Sequence, residues 1–230
     1  MVALALCVPD VLAAPTWGPP RGGNNIANLV SKMPKSTLEA PNGLQLKYVV
    51  LGVGTQNYTC LTKDDNAEPV AAGAVAKLYN LGQTLSYDPL ADFKINTISA
   101  LALNMYYYPK ILESLLWVQG FQQLLGDHFF APTTPSAPTF DLYKISSSPH
   151  PIASVKKNGE CDAPKNAFAG TKGEGAVKWL QLIDNGRSQG GVNTVYRLHT
   201  AGGKAPKLCK GSPERFEVPY TAQYWVFGQA

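Results

Sequence analysis

The chain has 230 residues, which is enough to bury one complete hydrophobic core, and β-rich domains of this length commonly remain single. The formal net charge is +4, and the 20 Lys and Arg residues are spread along the chain, which argues against a nucleic-acid-binding protein. No segment reaches the roughly 18 uncharged apolar residues that a membrane-spanning helix requires.

The first 13 residues predict a secretory signal peptide, because the segment is short, mostly apolar and ends in small residues. It lacks a basic start and is interrupted by Pro9 and Asp10, so a ragged terminus or a misplaced start codon is the alternative. Cleavage after Ala13 would remove Asp10 from the 16 acidic residues and give the mature protein a formal charge of +5. Residues 14–42, rich in Pro, Gly and Asn, predict an extended arm that joins the body at Leu44.

The remainder, residues 43–230, predicts a single β-rich domain. Residues 44–51 and 55–60 favour strands, and we expect the glycines between them, Gly52 and Gly54, to break the chain. The next apolar segment, residues 69–79, is rich in alanine and is compatible with either a strand or a helix.

A helical insertion is predicted near residues 97–125, where apolar residues recur at helical spacing. Pro109 must kink or break a helix, so the segment is expected to form two helices that cover one end of the β body.

The second half of the chain returns to β structure. Residues 140–145 predict a short strand, and residues 179–183 and 192–199 predict a hairpin with a long turn. A last strand is expected within residues 218–227. The predicted fold class is therefore mainly β, an antiparallel sandwich or barrel with a helical insertion.

The four cysteines fit an oxidising compartment. Loss of the leader removes Cys7 and leaves Cys60, Cys161 and Cys209, which implies one disulfide and one odd thiol. Pairing of Cys60 with Cys209 is favoured, because each follows a strand-like run next to loop signals. Cys161 lies in a polar stretch. Neither the isolated cysteines nor the three histidines have the spacing of a metal site.

Five blocks spread over the chain from about residue 44 to the C-terminus resemble the DUF3455 family, a set of secreted, mostly fungal and bacterial proteins with no established activity. They are GTQNYTC (54–60), GDHFF (126–130), WLQL (179–182), TAGGKAP (200–206) and VPYTAQYW (218–225). The chain departs from the family pattern in its long 85–125 insertion and in Cys161, which lies outside the blocks. Fungal members are often labelled malate dehydrogenase.

The dehydrogenase label rests here on one motif, G-x-G-x-x-N at residues 52–57. A dinucleotide-binding turn needs a helix that opens at the third position and an acidic residue about 20 positions later. Residues 58–60 continue as a strand, the third glycine is absent, and no β-α-β units follow. We therefore expect no NAD and no other cofactor, and take the protein not to be an NAD-dependent dehydrogenase.

Two further motifs suggest catalysis weakly. The sequence around Ser188 matches G-x-S-x-G, but a strand follows it instead of the helix that a nucleophile elbow needs. His128 beside Asp127 could be a base held by a carboxylate, and this pair is the candidate site of an extracellular hydrolase. The more ordinary interpretation is a structural histidine whose ring is hydrogen-bonded at the edge of the core.

A set of aromatic residues gives the preferred functional hypothesis, since flat rings can bury the apolar faces of sugars, although core packing is the competing explanation. We expect a secreted, extracellular or cell-wall-associated protein that binds polysaccharide or another surface ligand without catalysis. The candidate ligand-binding residues are Tyr106, Tyr107, Trp117, Tyr224 and Trp225. Asn57 begins the one N-glycosylation sequon, although its predicted strand position makes access doubtful.

Overall fold

A computed structural model of the protein describes residues 26–61, 64–132 and 136–229. The predicted signal peptide and the first part of the predicted arm lie outside the described residues. Eight antiparallel strands form a closed barrel, in which each strand pairs with its neighbours in the chain and the last pairs with the first. The strands are β1 (Gln45–Thr59), β2 (Val70–Asn80), β3 (Leu124–Ala131), β4 (Ala137–Asp141), β5 (Ile152–Cys161), β6 (Trp179–Asp184), β7 (Thr194–Gly202) and β8 (Arg215–Gly228).

The first strand corrects one prediction. β1 runs without interruption through Gly52 and Gly54, because both of its edges are paired, with β2 on one side and β8 on the other. The glycines serve close packing: a side chain on Gly52 would collide with the ring of Tyr224, and one on Gly54 would collide with the carbonyl of Val75. The expected break between two strands is therefore wrong.

Three helices lie in the connection between β2 and β3: α1 (Gly82–Leu85), α2 (Ala91–Asn104) and α3 (Pro109–Gln119). The predicted division at Pro109 is confirmed, and this proline occupies the first turn of α3, where its missing N–H has no intrahelical partner to lose. The predicted bounds are shifted, since α2 begins at Ala91 and Leu124 already belongs to β3.

The first described part of the predicted arm is helical and not extended. Ile26–Lys32 forms a 3-10 helix whose Leu29 is buried, and the carbonyl of Glu39 accepts a 2.7 Å hydrogen bond from the Tyr196 hydroxyl. Residues 26–42 thus pack on the barrel well before Leu44.

The predictions for the fourth and fifth strands were incomplete. β4 ends at Asp141, so the predicted strand at residues 140–145 overlaps only its end. β5 was not predicted, because the Lys-Lys-Asn-Gly-Glu sequence of its second half is largely exposed and has no apolar alternation.

Two apolar clusters lie on opposite sides of the barrel wall. One fills the interior and includes Phe140, Tyr220 and Tyr224. The other lies outside the wall, where α2 covers β1, β7 and β8 and α3 packs against α2, and includes Trp225. Here Thr221 donates a 2.6 Å hydrogen bond to the carbonyl of Ser99, and Gln223 donates one of 2.6 Å to the carbonyl of Ile95. α2 is therefore fixed to β8 by polar as well as apolar contacts.

The predicted disulfide between Cys60 and Cys209 is confirmed. It ties the β1–β2 connection to the β7–β8 connection at one end of the barrel. Cys161 is a free thiol at the end of β5.

Candidate functional site

A cleft of about 360 Å³ lies on the outer surface of β1, β2 and β3. Alternate residues of a strand point to opposite faces of the barrel wall. Each of the three strands therefore lines the cleft with the two outward-facing side chains on either side of one inward-facing residue. Ladder pairing places the inward-facing positions, Gly54, Ala76 and His128, in one row across the three strands. This row also lines the cleft. The outward-facing side chains around it are Val53, Thr55, Val75, Lys77, Asp127 and Phe129, and Tyr106 and Glu217 complete the lining.

Charged groups stand at two places in the cleft. Lys77 Nζ lies 2.9 Å from Asp127 Oδ1, and the hydrogen bond between them is the main reason why the pKa of Lys77 is raised. The Tyr143 hydroxyl donates a long, 3.4 Å hydrogen bond to the same carboxylate. Beside Tyr106, burial and then the negative charge of Glu217 raise the pKa of the phenol. The cleft thus combines an ion pair, a second carboxylate and an aromatic ring.

His128 and Asp127 are adjacent on β3 and therefore point to opposite sides of the barrel wall. His128 is only 4% exposed, and its ring stacks on Phe140 at 4.2 Å between centroids. Its Nδ1 lies 2.9 Å from the carbonyl of Thr139, and since a carbonyl can only accept, Nδ1 carries the proton. The structure does not bring these two side chains together as a base and its orienting carboxylate.

Burial controls the protonation of His128. It lowers the pKa of the imidazole to about 4, the charge of Arg197 adds to this effect, and the hydrogen bond to Thr139 opposes it. The ring is therefore neutral at neutral pH and is held in place by stacking and one hydrogen bond, as a structural histidine would be.

The five aromatic candidates do not form one row. Tyr224 is buried inside the barrel and Trp225 is buried beneath the helices. Trp117 and Tyr107 are 69% and 51% exposed, yet neither lines the cleft. Only Tyr106 does, with the ring of Tyr107 edge-on to it at 5.2 Å. Phe129, Lys77 and Glu217 were missed, and the alternation around His128 was the one sequence signal that could have indicated Phe129.

Ser188, of the G-x-S-x-G match, is part of a structural contact. Its hydroxyl donates a 3.0 Å hydrogen bond to the carbonyl of Ser154 and accepts one of 3.0 Å from the amide of the same residue. The turn between β6 and β7 is thereby fixed to β5. Asn57, of the glycosylation sequon, faces outward on β1, where its side chain accepts a 3.2 Å hydrogen bond from Thr55.

A family model described as a protein of unknown function, DUF3455, matches residues 41–228. The chain belongs to the DUF3455 family. The matched range contains all eight strands, the disulfide and every residue that lines the cleft, so this DUF3455 barrel carries the cleft within the part of the chain that the family shares. No curated protein and no solved structure matches the chain.

Within residues 26–61, 64–132 and 136–229, no three His, Cys, Asp or Glu side chains are grouped as a metal site would require. In the same residues, no helix has the length and apolar character needed to span a bilayer.

Proposed function

We propose that this protein binds polysaccharide outside the cell, or in the cell wall, through the cleft over β1, β2 and β3. The observation that carries the proposal is the composition of that cleft. Tyr106 and Phe129 supply rings that can cover the apolar face of a sugar, and Asp127, Lys77 and Glu217 supply hydrogen-bonding partners for hydroxyl groups. A volume of about 360 Å³ is within the usual range of ligand sites.

Preorganisation supports binding at this place. Asp127 is held by Lys77 at 2.9 Å, so its carboxylate need not be immobilised when a ligand arrives. The outward side chains are mounted on three paired strands, which hold binding groups more firmly than loops do.

The extracellular location is proposed on two grounds. The predicted signal peptide would direct the chain to the secretory pathway. The Cys60–Cys209 disulfide is the kind of bond that persists in oxidising compartments.

The test is sedimentation of the mature protein with insoluble wall polysaccharides, followed by calorimetric titration with soluble oligosaccharides of the polysaccharide that binds. We expect Tyr106→Ala and Asp127→Asn each to weaken binding about 5- to 30-fold, since each removes a contact worth about 1–2 kcal/mol. Trp117→Ala is the matched control, because it removes a more exposed ring outside the cleft. Binding that depends on Trp117 and not on Tyr106 would overturn the proposed site.

An extracellular hydrolase is the second candidate, and one observation favours it. The cleft is lined by two carboxylates, Asp127 and Glu217, and glycoside hydrolysis commonly uses two. His128 has no part in this version, because it faces the barrel interior. Release of new reducing ends from the bound polysaccharide, abolished by Glu217→Gln, would establish hydrolysis, and intact polysaccharide after prolonged incubation would reject it.

A further inference from the structure

Arg197 is an interior residue of the barrel. It lies on β7, paired with Leu180 on one side and with Tyr224 on the other. Val195, two positions earlier, belongs to the interior cluster, whereas Tyr196 and Leu198 belong to the outer one. The alternation of a strand therefore directs the guanidinium of Arg197 into the barrel, where it remains partly accessible.

The charge of Arg197 has no counterion among the described residues. Its Nε and Nη2 donate hydrogen bonds of 3.1 and 2.9 Å to one backbone carbonyl, that of Lys178. No described carboxylate lies within 4.0 Å of the guanidinium. Arginine does not lose its proton in proteins, so a permanent positive charge faces the interior with only neutral groups against it, the Lys178 carbonyl and the Tyr224 hydroxyl, to which Arg197 is also hydrogen-bonded.

The interior groups near Arg197 are neutral at neutral pH. Its field acts on His128, Tyr58, Tyr220 and Tyr224. Burial raises the pKa of Tyr224, and the charge of Arg197 opposes that rise. The hydroxyls of Tyr220 and Tyr224 are joined by a 2.8 Å hydrogen bond, so together they offer one further O–H or lone pair to a ligand.

A buried amide that is not fully hydrogen-bonded lies in the same region. Gln56 is 9% exposed and faces inward on β1, beside Tyr220. Within the described residues, its Nε2 approaches the Tyr220 hydroxyl but makes no hydrogen bond of 3.5 Å or less. Buried polar groups are nearly always satisfied, and the amide has two N–H donors, so at least one of them is open to an acceptor from outside the chain even with Tyr220 beside it.

We infer that the end of the barrel interior bounded by Arg197, Gln56, Tyr220 and Tyr224 binds the carboxylate group of a small organic acid. The Nη atoms of arginine form a planar fork that matches two carboxylate oxygens, and the amide of Gln56 supplies a further donor. One positive charge among neutral donors balances a monoanion, whereas a phosphate dianion would remain uncompensated. The site lies on the inner side of the wall and is independent of the polysaccharide cleft.

The experiment follows the side-chain N–H signals of Gln56 and Arg197 by NMR in isotopically labelled mature protein. The probes are sodium acetate, benzoate and D-galacturonate, each compared with its neutral counterpart, acetamide, benzamide or D-galactose, and with inorganic phosphate. We expect at least one carboxylate to shift both signals to saturation and to bind about tenfold more tightly than its neutral counterpart. Arg197→Gln should weaken that binding about tenfold or more.

Arg187→Gln is the matched control, because it makes the same charge change at an exposed position in the turn between β6 and β7. It should leave the carboxylate affinity unchanged. If Arg197→Gln does not fold, Gln56→Leu replaces it, and the wild-type signals remain decisive. The inference is overturned if none of the three carboxylates shifts both signals, if the neutral counterparts bind equally well, or if phosphate alone binds. Arg197 would then serve only to hold the Lys178 carbonyl and the Tyr224 hydroxyl.

Discussion

His128 should make the stability of the barrel strongly dependent on pH. Its pKa is about 4 in the folded protein and about 6.5 in an unfolded chain, so the unfolded chain binds the proton first as the pH falls. The stabilisation is thus fully present above pH 6.5 and is lost as the pH falls towards 4. A difference of about 2.5 pKa units corresponds to roughly 3 kcal/mol of unfolding free energy.

The test compares His128→Gln with the wild type by measuring the free energy of unfolding in urea at pH 7 and pH 4. The variant should be less stable at pH 7, because the stacked ring on Phe140 is lost, while an amide can still donate to the carbonyl of Thr139. Between pH 7 and pH 4 it should lose about 3 kcal/mol less than the wild type, since no imidazole remains to be protonated.

Phe130→Leu is the control, because it replaces an aromatic ring that lies 5.9 Å from the ring of His128 with an aliphatic side chain and removes no titratable group. Its stability should be lower than that of the wild type by the same amount at both pH values. If His128→Gln and the wild type lose equal free energy on acidification, the burial argument for His128 is refuted.

Four further outcomes are expected. Burial also lowers the pKa of His199 to about 4, so His199→Gln should likewise reduce the acid sensitivity measured by urea denaturation. Cys60→Ser with Cys209→Ser should lower the unfolding free energy by about 3–5 kcal/mol, because the bridge closes a loop with a sequence separation of 149; a loss below about 1 kcal/mol in chemical denaturation would contradict this. Gly54→Ala should severely destabilise the fold, since its methyl group would collide with the Val75 carbonyl, whereas Gly159→Ala, with only ordinary contacts around it, should melt near the wild-type temperature. Thr221→Val should cost about 1–3 kcal/mol in thermal or urea unfolding by removing the hydrogen bond that the buried carbonyl of Ser99 accepts, and a neutral effect would show that this contact does not hold α2 on β8.

Local patterns predicted those parts of the structure in which one face of an element is apolar. The strands around Leu180 and Val195 and the helix division at Pro109 follow from periodicity and from proline geometry. The continuity of β1 through Gly54 could not be predicted in this way, because it depends on pairing with β8, almost at the other end of the chain.

The residues of the cleft could be predicted from the sequence only in part. Asp127 was a candidate, and strand alternation alone separates it from His128. Tyr106 and Glu217 lie far apart in the chain, and only closure of the barrel brings them to one surface. The same closure buries Tyr224 and Trp225, whose aromatic character had suggested exposed stacking positions.

The pairing of β1 with β8 also determines when the protein can fold. Contact between Gln45 and Gly228 cannot form until the chain has been synthesised as far as β8, and loop closure over such a distance slows folding. Until then the hydrogen-bonding edge of β1 that faces β8 is unpaired and open to association with other chains. We therefore expect the barrel to close only after β8 has been synthesised, and deletion of β8 to yield an aggregating protein instead of a smaller barrel.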